Sequence, residues 1–372
     1  MNSAPTQRPE RFRALPPQAL PSLADARRCV SGPTKAALAR YCRDAPGLSH
    51  ASAAARLAQL REHFVPGTAL PTAPRRPAVA DDDTHDGYFH VQRVAGVAGP
   101  VFLHSLLTAA RIYHSEMARV VLPPQLPLSG EVVGNAFAGL LDFILGTEIP
   151  VSLRGNYQVT EAVPDREPMR RWVQGHQIFA ALTQGIVFAL QSFEGALQAS
   201  TTEPCFDESC AHAALRVATA LLRASAATFR FTANFSARAY SEIVRPSMMA
   251  DQLGDGFSGL LSADHRQLVV QLARVRALRP QLACDLQIEL VRLAEALSEV
   301  YESHKFVCAR FDGAQLPSLR CPNANPLPGV DQLERYHRAR LDLLGSRDMV
   351  PPVERIGAHQ AIGPEQSLNS SK

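Results

Sequence analysis

Apolar residues recur at every third or fourth position over long blocks of the chain from Val91 onward. This period is that of an α-helix with one buried face, whereas a half-buried strand would alternate at every second residue. The pattern predicts seven long helices: Val101–Val121, Glu131–Leu145, Arg170–Ser200, His212–Phe231, Ser262–Leu278, Gln281–Phe311 and Val330–Leu344. Only Glu148–Glu161 alternates as a hairpin or extended loop would. We therefore predict a mostly α, all-α protein.

The residues before these helices have a different composition. Residues 1–24 are rich in Pro, Arg and Ala, which predicts a poorly ordered arm. A helical pattern at Ser52–Phe64 predicts a small helical element within residues 25–65, and the prolines and aspartates of residues 66–83 are typical of a linker or surface strap. This organisation predicts an N-terminal arm, small helical region and Pro-rich linker (1–85), one large helical domain (86–345) and a C-terminal tail (346–372).

Charge and cysteine usage exclude several classes of protein. Lys and Arg total 38 against 35 Asp and Glu, and no basic stripe is visible, so we expect no nucleic-acid partner. The first residues carry charge and proline where a signal peptide needs an apolar core, and the longest apolar stretch, Ala136 to Leu145, contains Asp142. Seven scattered cysteines fit a reducing compartment. We expect a cytoplasmic protein with no membrane span.

The last long helix carries the most informative pair of side chains. On a helix, Leu297, Tyr301, His304, Cys308 and Phe311 share one face. His304 and Cys308 are four residues apart, which separates them by about 6 Å along the axis. That spacing suits a flat macrocycle standing beside the helix, with the imidazole on its iron and the thiol at a vinyl group on its edge. The alternative is a buried cysteine beside a core histidine, since a chain with 12 His and 7 Cys also forms such pairs by chance.

A second histidine stands at the start of another predicted helix. Ser262 is a suitable N-cap, which places His265 in the first turn, near the positive end of the helix dipole. This position favours neutral imidazole, the form that binds a metal. The alternative is an exposed polar residue at a helix start.

Residues 231–273, FTANFSARAYSEIVRPSMMADQLGDGFSGLLSADHRQLVVQLA, resemble the central signature of the histidine-ligated haem aromatic oxygenases. That superfamily includes the tryptophan and indoleamine dioxygenases and the pyrrolnitrin ring-rearranging enzyme. The shared parts are Tyr240, Arg245-Pro246, the Gly254–Ser258 turn and the helix after Ser262. The resemblance implies an indoleamine/tryptophan-dioxygenase-like helical haem domain over roughly residues 90–315, with the N-terminal arm and the C-terminal tail outside it.

The His304-x-x-x-Cys308 feature narrows the resemblance to the 3-methyl-L-tyrosine hydroxylases (peroxygenases) of saframycin/safracin-type antibiotic pathways. It implies that His304 is the proximal iron ligand, that Cys308 attaches a b-type haem through one thioether, and that His265 is the distal ligand. The two histidines would be the catalytic residues. Arg245 would pair with the amino-acid carboxylate, since its planar fork suits a carboxylate, and Tyr240 would pack on the substrate ring.

The same resemblance implies hydroxylation of 3-methyl-L-tyrosine to 3-hydroxy-5-methyl-L-tyrosine with hydrogen peroxide. If His265 binds the resting iron, it must move off to admit peroxide, and a first-turn position would ease that movement. A homodimer is a possible assembly. Three alternatives stay open: a haem-dependent L-tyrosine hydroxylase, an indole dioxygenase-like enzyme, and a bis-histidine haem protein for electron transfer or haem sensing.

Other polar clusters have simpler interpretations. Cys205, Cys210 and His212 offer three zinc ligands without a second pair, so a loop before a helix is the better interpretation. Asp81–Asp83 with His85 is interpreted as a solvated charge run. His104 and His114 share a helix face and are interpreted as core or haem-propionate contacts, and Arg154, Asn156 and Tyr157 as a turn or a pocket mouth.

Overall fold

The computed structural model describes residues 11–65, 67–70, 85–119, 130–147, 167–199, 208–249, 262–311 and 328–345. These residues form ten labelled helices: α1 (Leu23–Arg28), α2 (Gly32–Asp44), α3 (His50–Arg61), α4 (Ala98–Arg119), α5 (Gly130–Leu145), α6 (Pro168–Ala199), α7 (Glu208–Thr232), α8 (Ala263–Leu278), α9 (Cys284–Arg310) and α10 (Gly329–Leu343). The all-α prediction is confirmed, and each helix predicted from the apolar period is present within a few residues. The β-like stretch Glu148–Glu161, the tail 346–372 and Arg154, Asn156 and Tyr157 lie outside the described residues.

The core is built around α6 and α7. Helix α6 packs on α7, α4 and α8, while α7 also packs on α5 and α9. A Cβ at Gly185 of α6 would lie 2.9 Å from Leu140 and 3.2 Å from Leu221, so a glycine allows α6 to approach α5 and α7 closely. Helix α6 is long and apolar enough to cross a membrane, and 72% of its apolar window is buried inside the protein, as in a core helix.

A small sheet ties the N-terminal residues to this core. Strand β1 (Phe12–Ala14) pairs in parallel with β3 (Val91–Ala95), and β2 (Thr68–Ala69) pairs antiparallel on the other side of β3. Phe12 and Leu15 are 1% and 2% exposed. The prediction of a poorly ordered arm is therefore wrong for residues 11–24, because the apolar side chains between the prolines and arginines are buried against the helices.

The first three helices cover one side of the bundle. Helix α3 packs along α4, α1 packs on α4 and α5, and α2 packs on α5. Their buried side chains, such as Leu38, Tyr41 and Leu57, belong to the same apolar core as those of α4 to α9. Helix α3 is the element predicted at Ser52–Phe64, whereas the domain division at residue 85 stays a prediction.

Candidate functional site

Helix α9 is continuous from Cys284 to Arg310, so His304 and Cys308 lie one turn apart on it, as the sequence predicts. The imidazole of His304 stacks on Phe229 of α7, with ring centroids 4.4 Å apart and planes 20° apart. Burial lowers the pKa of His304 to about 4. The ring is therefore neutral at pH 7, and its nitrogens can bind a metal.

His265 lies in the first turn of α8. The Ser262 hydroxyl accepts a hydrogen bond from the His265 backbone N–H at 3.4 Å, which confirms the predicted N-cap. Burial is the main cause that lowers the pKa of His265 to about 4, and the charges of Arg340 and His304 add to it. His304 is thus close enough for its charge to act on His265, although the two residues come from different helices.

The rings of His265 and His304 lie among many protein atoms but keep some accessible surface. Protein atoms surround His265 and His304 closely enough to suppress protonation, yet each residue is only half-buried by accessible area. Among the described residues, neither ring forms a hydrogen bond through its nitrogens. Two neutral imidazoles whose nitrogens bond to no described residue are suited to bind a metal.

Two further histidines lie beside this pair and were not singled out from the sequence as site residues. His176 of α6 stacks on Phe89 at 3.8 Å and 7°, and its Nδ1 donates to the Trp172 carbonyl at 2.8 Å. Burial lowers the pKa of His176 to about 3, with small contributions from His85 and His304. The charge of His85 also acts on His265. Four imidazoles from four parts of the chain therefore converge.

The interpretation of His85 as part of a solvated charge run is wrong. Its side chain is only 12% exposed and lies edge-on to Phe89 at 5.0 Å. The charge pattern of the three preceding aspartates suggested solvent, but His85 begins a helical turn at residues 85–88 that faces inward. For His176, the available signal was the spacing Trp172-x-x-x-His176, which places two aromatic rings on one face of a helix.

Tyr240 and Arg245 lie at the two ends of a π-helical segment, Tyr240–Val244. The Arg245 backbone N–H bonds to the Tyr240 carbonyl, which closes the wide turn and brings the two side chains to the same place. Single π-turns are rare in proteins, and many of those that occur lie at functional sites. Burial raises the pKa of Tyr240, opposed by the charge of Arg245, so the phenol stays protonated and lies against a guanidinium.

Aromatic rings surround the Tyr240 side chain. Phe311, just after α9, stacks on it at 4.2 Å and 5°, and Trp172 meets it edge-on at 6.3 Å. The Tyr88 hydroxyl bonds to Ser247 at 2.6 Å and its charge acts on Tyr240. These rings form an aromatic wall beside Arg245, which suits a flat ring that carries a carboxylate.

Cys308 connects the two halves of the site. Burial raises the pKa of its thiol to about 11, so the thiolate is strongly disfavoured. Its charge also acts on Tyr240 of the aromatic wall, and it lies one turn after His304 on α9. The structure thus places Tyr240 beside Arg245 and His304 one turn from Cys308, and the charge of His304 acts on His265; the roles of these five residues stay predictions. Of the other residues expected on their face of α9, Tyr301 instead stacks on His337 of α10 at 5.1 Å, and Leu297 is buried in the core.

The remaining clusters have partners elsewhere. His114 lies with Nδ1 2.9 Å from Nδ1 of His50, between α4 and α3. His212 bonds to Asp285 at 2.6 Å, close to Glu208, while Cys205 lies outside the described residues. Helix α7 begins at Glu208, four residues before the predicted start. His104 is half-buried on α4.

The fold and the site define an all-α protein with a buried histidine-lined site beside an aromatic wall. A sequence model of the SfmD 3-methyl-L-tyrosine peroxygenases matches residues 4–289, and the chain belongs to this family. The match begins at residue 4, so the expectation that the N-terminal residues lie outside the resemblance is wrong. It includes Tyr240, Arg245 and His265 and ends before His304.

Two known proteins are similar to this chain. The 3-methyl-L-tyrosine peroxygenase of Streptomyces lavendulae is 28% identical over 179 residues, which are 48% of this chain and 47% of that protein. The match thus spans about half the length of the curated relative. The crystal structure of SfmD reduced by soaking with sodium hydrosulfite superposes with a TM-score of 0.59 and 23% identity, covering 79% of this chain and 96% of that one. This second likeness supports the fold.

Proposed function

We propose that this protein is a haem-dependent peroxygenase that hydroxylates 3-methyl-L-tyrosine to 3-hydroxy-5-methyl-L-tyrosine with hydrogen peroxide. Family membership supports the reaction class, and the peroxygenase of S. lavendulae carries the same substrate in its name. The observation that carries the proposal is the convergence of His265 and His304. Both rings are neutral, the charge of His304 acts on His265, and neither ring bonds through its nitrogens to a described residue.

The residues present fit a haem with histidine on each side. His304 would hold the iron from α9, His265 would face it from α8, and Cys308 would attach the edge of the macrocycle through a thioether. The high pKa of the Cys308 thiol argues against a thiolate ligand and leaves a protonated sulfur beside the ring edge. The haem would supply the oxidising chemistry that activates peroxide.

The chain itself would bind and orient the amino acid. Arg245 offers a planar pair of donors to the substrate carboxylate, and charge-assisted pairs of this kind are among the strongest hydrogen bonds in proteins. The Tyr240 ring is covered on one face by Phe311, which fixes its plane, so its other face is suited to pack on the substrate ring. The substrate phenol would then point from Arg245 toward Cys308 and the histidines.

His265 would also handle a proton. With a pKa of about 4 it is a neutral base at pH 7, able to accept the proton that peroxide gives up and to return it later. His176 cannot supply a proton to peroxide from its Nδ1, because Nδ1 already donates a hydrogen bond to the Trp172 carbonyl. The cytoplasmic location and the homodimer stay proposals based on the sequence.

The proposal is tested by measuring whether haem stays attached to the protein after denaturation. Wild type and Cys308→Ala are expressed with haem available, acidified and extracted with organic solvent, and intact mass and the reduced pyridine spectrum are recorded. Haem retained by the wild type and extracted from Cys308→Ala supports the thioether. Cys284→Ala is the matched control, because Cys284 is exposed at the far end of α9. A wild type that binds no haem contradicts the proposal.

A further inference from the structure

A buried ion-pair network lies beside the histidine cluster. Arg93 of β3 donates to both carboxylate oxygens of Asp264, at 3.0 Å from Nη1 and 2.8 Å from Nη2. On its other edge it donates to Asp86, at 2.7 Å from Nε and 3.0 Å from Nη2. The Gln184 amide of α6 adds a third bond to Asp264 at 2.9 Å. The carbonyl of Leu15 accepts from both Arg93 and Gln184.

The network is fully removed from water on the Asp264 side. Asp264 is 1% exposed, and a carboxylate buried to this degree is stable as an anion only when it is paired and hydrogen-bonded. Burial works against the charge of Arg93, but Asp264 and Asp86 outweigh it and raise the Arg93 pKa. Each partner therefore depends on the others, and none of them can move alone without leaving a buried charge unpaired.

The two carboxylates are the sequence neighbours of two site histidines. Asp264 directly precedes His265 in the first turn of α8, and Asp86 directly follows His85 in the turn at residues 85–88. Gln184 lies two turns after His176 on α6. The Arg93 guanidinium thus connects the chain segments that present His265 and His85, and Asp264 links them through Gln184 to the helix that presents His176.

We propose that Arg93 is a positioning residue: by binding Asp264 and Asp86 together it fixes the two turns that place His265 and His85 on the same side of the site. The inference rests on the proposed function in that the group facing His265 is taken to be haem. It also changes the expectation drawn from the sequence. Because Asp264 and the Ser262 cap hold the first turn of α8, His265 moves away by rotating its side chain, and the turn itself stays wound.

The first test measures how firmly His265 holds its place. Cyanide is titrated into the ferric holoprotein of wild type, Asp264→Asn, Arg93→Lys and His265→Ala, since cyanide competes with the residue on that side. Loss of a residue that orients a metal ligand costs roughly 10- to 100-fold in metal affinity or activity, so we expect a weaker hold of His265 to raise the cyanide affinity of Asp264→Asn by a similar factor. Arg93→Lys, which keeps the charge and loses the fork, should fall between wild type and Asp264→Asn.

A matched control separates positioning from general stability. Glu289 of α9 is also a buried carboxylate, 4% exposed, and is bound by Arg216 at 3.2 Å and Arg292 at 2.8 Å. Glu289→Gln should lower the unfolding midpoint much as Asp264→Asn does and leave cyanide affinity within about twofold of wild type. A haem-loaded Asp264→Asn that binds cyanide as wild type does would overturn the inference and leave the proposed function intact.

A second test uses the protein without cofactor. Amide hydrogen exchange should accelerate in the first two turns of α8 in Asp264→Asn, by about tenfold or more relative to α9, because the anchor of that turn is lost. Equal acceleration in α8 and α9 would mean a global loss of stability and would overturn the positioning role. If Asp264→Asn does not fold, Arg93→Lys is used for both tests with the same outcomes. A wild type that binds no haem would instead contradict the proposed function.

Discussion

Two groups of buried histidines in this protein differ in what their ring nitrogens contact. His50 and His114 lie Nδ1 to Nδ1 at 2.9 Å between α3 and α4, so one nitrogen of each ring is bonded to the other ring, while Nε2 of His114 is buried without a hydrogen bond to a described residue. His265 and His304 form no such bond with any described residue. Burial lowers the pKa of His114, His265 and His304 alike to about 4. A lowered pKa therefore does not distinguish a ligand from a structural histidine, whereas the hydrogen bond between two rings sets the His50–His114 pair apart.

A second difference separates the two candidate ligands themselves. Burial is the cause that lowers the pKa of His304, which lies in mid-helix and stacks on Phe229. His265 lies at a helix start, where the charges of Arg340 and Arg266 and the helix dipole further oppose a proton. His304 is thus set in an apolar wall, while His265 stands in a positive field. This asymmetry agrees with a fixed ligand on α9 and an exchangeable one on α8.

The largest expected effect comes from removing one histidine of each group. His304→Ala should reduce peroxygenase activity by at least about 100-fold, since even the loss of an outer partner of a metal ligand costs 10- to 100-fold. Its unfolding free energy without cofactor should fall by about 0.5–1.5 kcal/mol, because the stack on Phe229 is lost. His114→Ala should act mainly on stability: it leaves His50 unpaired and destabilises the fold by about 1–3 kcal/mol, with haem retained. Absorption spectra and urea titrations of both variants check this, and a well-folded His114→Ala without haem would refute the distinction.

The aromatic wall should respond separately from the histidines. Arg245→Lys loses the planar fork, and a hydrogen bond to a charged group is worth about 1.5–3 kcal/mol, so KM for the amino acid should rise roughly 10- to 100-fold. The haem spectrum should stay that of the wild type. Arg238→Lys is the matched control, because Arg238 lies two turns earlier on the surface and pairs with Glu242 at 2.9 Å. Steady-state kinetics at saturating peroxide separate the two variants, and equal KM values would remove Arg245 from the site.

The parts of this site that could be predicted from the sequence are local. The Ser262 cap, the first-turn place of His265 and the shared face of His304 and Cys308 all follow from positions a few residues apart on one helix. The period of apolar residues likewise located each long helix, because it depends on burial of a single face. Boundaries moved by a few residues where a turn intervened, as at the 3-10 turn Arg279–Gln281 before α9.

The parts that could not be predicted depend on contacts between distant segments. Strand β1 has three residues and pairs with β3 almost 80 positions away, so neither its length nor its composition identified it. The π-turn at Tyr240–Val244 packs against α6. No sequence pattern of a few residues predicts such a turn. His85 and His176 join the cluster only because the sheet and α6 place them there. In the sequence, nothing distinguishes Arg93 from other strand residues. Its bonds to Asp86 and Asp264 depend on the folded arrangement of distant segments.

Acid should weaken the protein through its buried neutral histidines. The folded pKa of His114 is about 4 and the ordinary value is 6.5, so below pH 6.5 the unfolded chain binds a proton that the folded chain does not. The contribution of His114 to the free energy of unfolding is therefore fully present above pH 6.5. It falls as the pH is lowered to about 4 and does not change below that. Between pH 7 and 5 the loss is about 2 kcal/mol per such histidine. In urea titrations without cofactor, the free energy of unfolding of His114→Gln should fall between pH 7 and 5 by about 2 kcal/mol less than that of wild type. An identical loss in both would assign the acid sensitivity to other groups.

The smallest expected effect distinguishes the two sides of the site. Phe229→Leu keeps an apolar side chain against His304 and loses the aromatic stack, which is worth about 0.5–1.5 kcal/mol. If that energy differs between the two oxidation states of a haem held by His304, the midpoint potential shifts by at most about 60 mV. Cyanide affinity should not change, because cyanide competes with His265. Phe179→Leu is the control, since Phe179 meets Phe229 edge-on at 4.5 Å. A change in cyanide affinity without a change in potential would exchange the roles of the two histidines, because Phe229 stacks on His304.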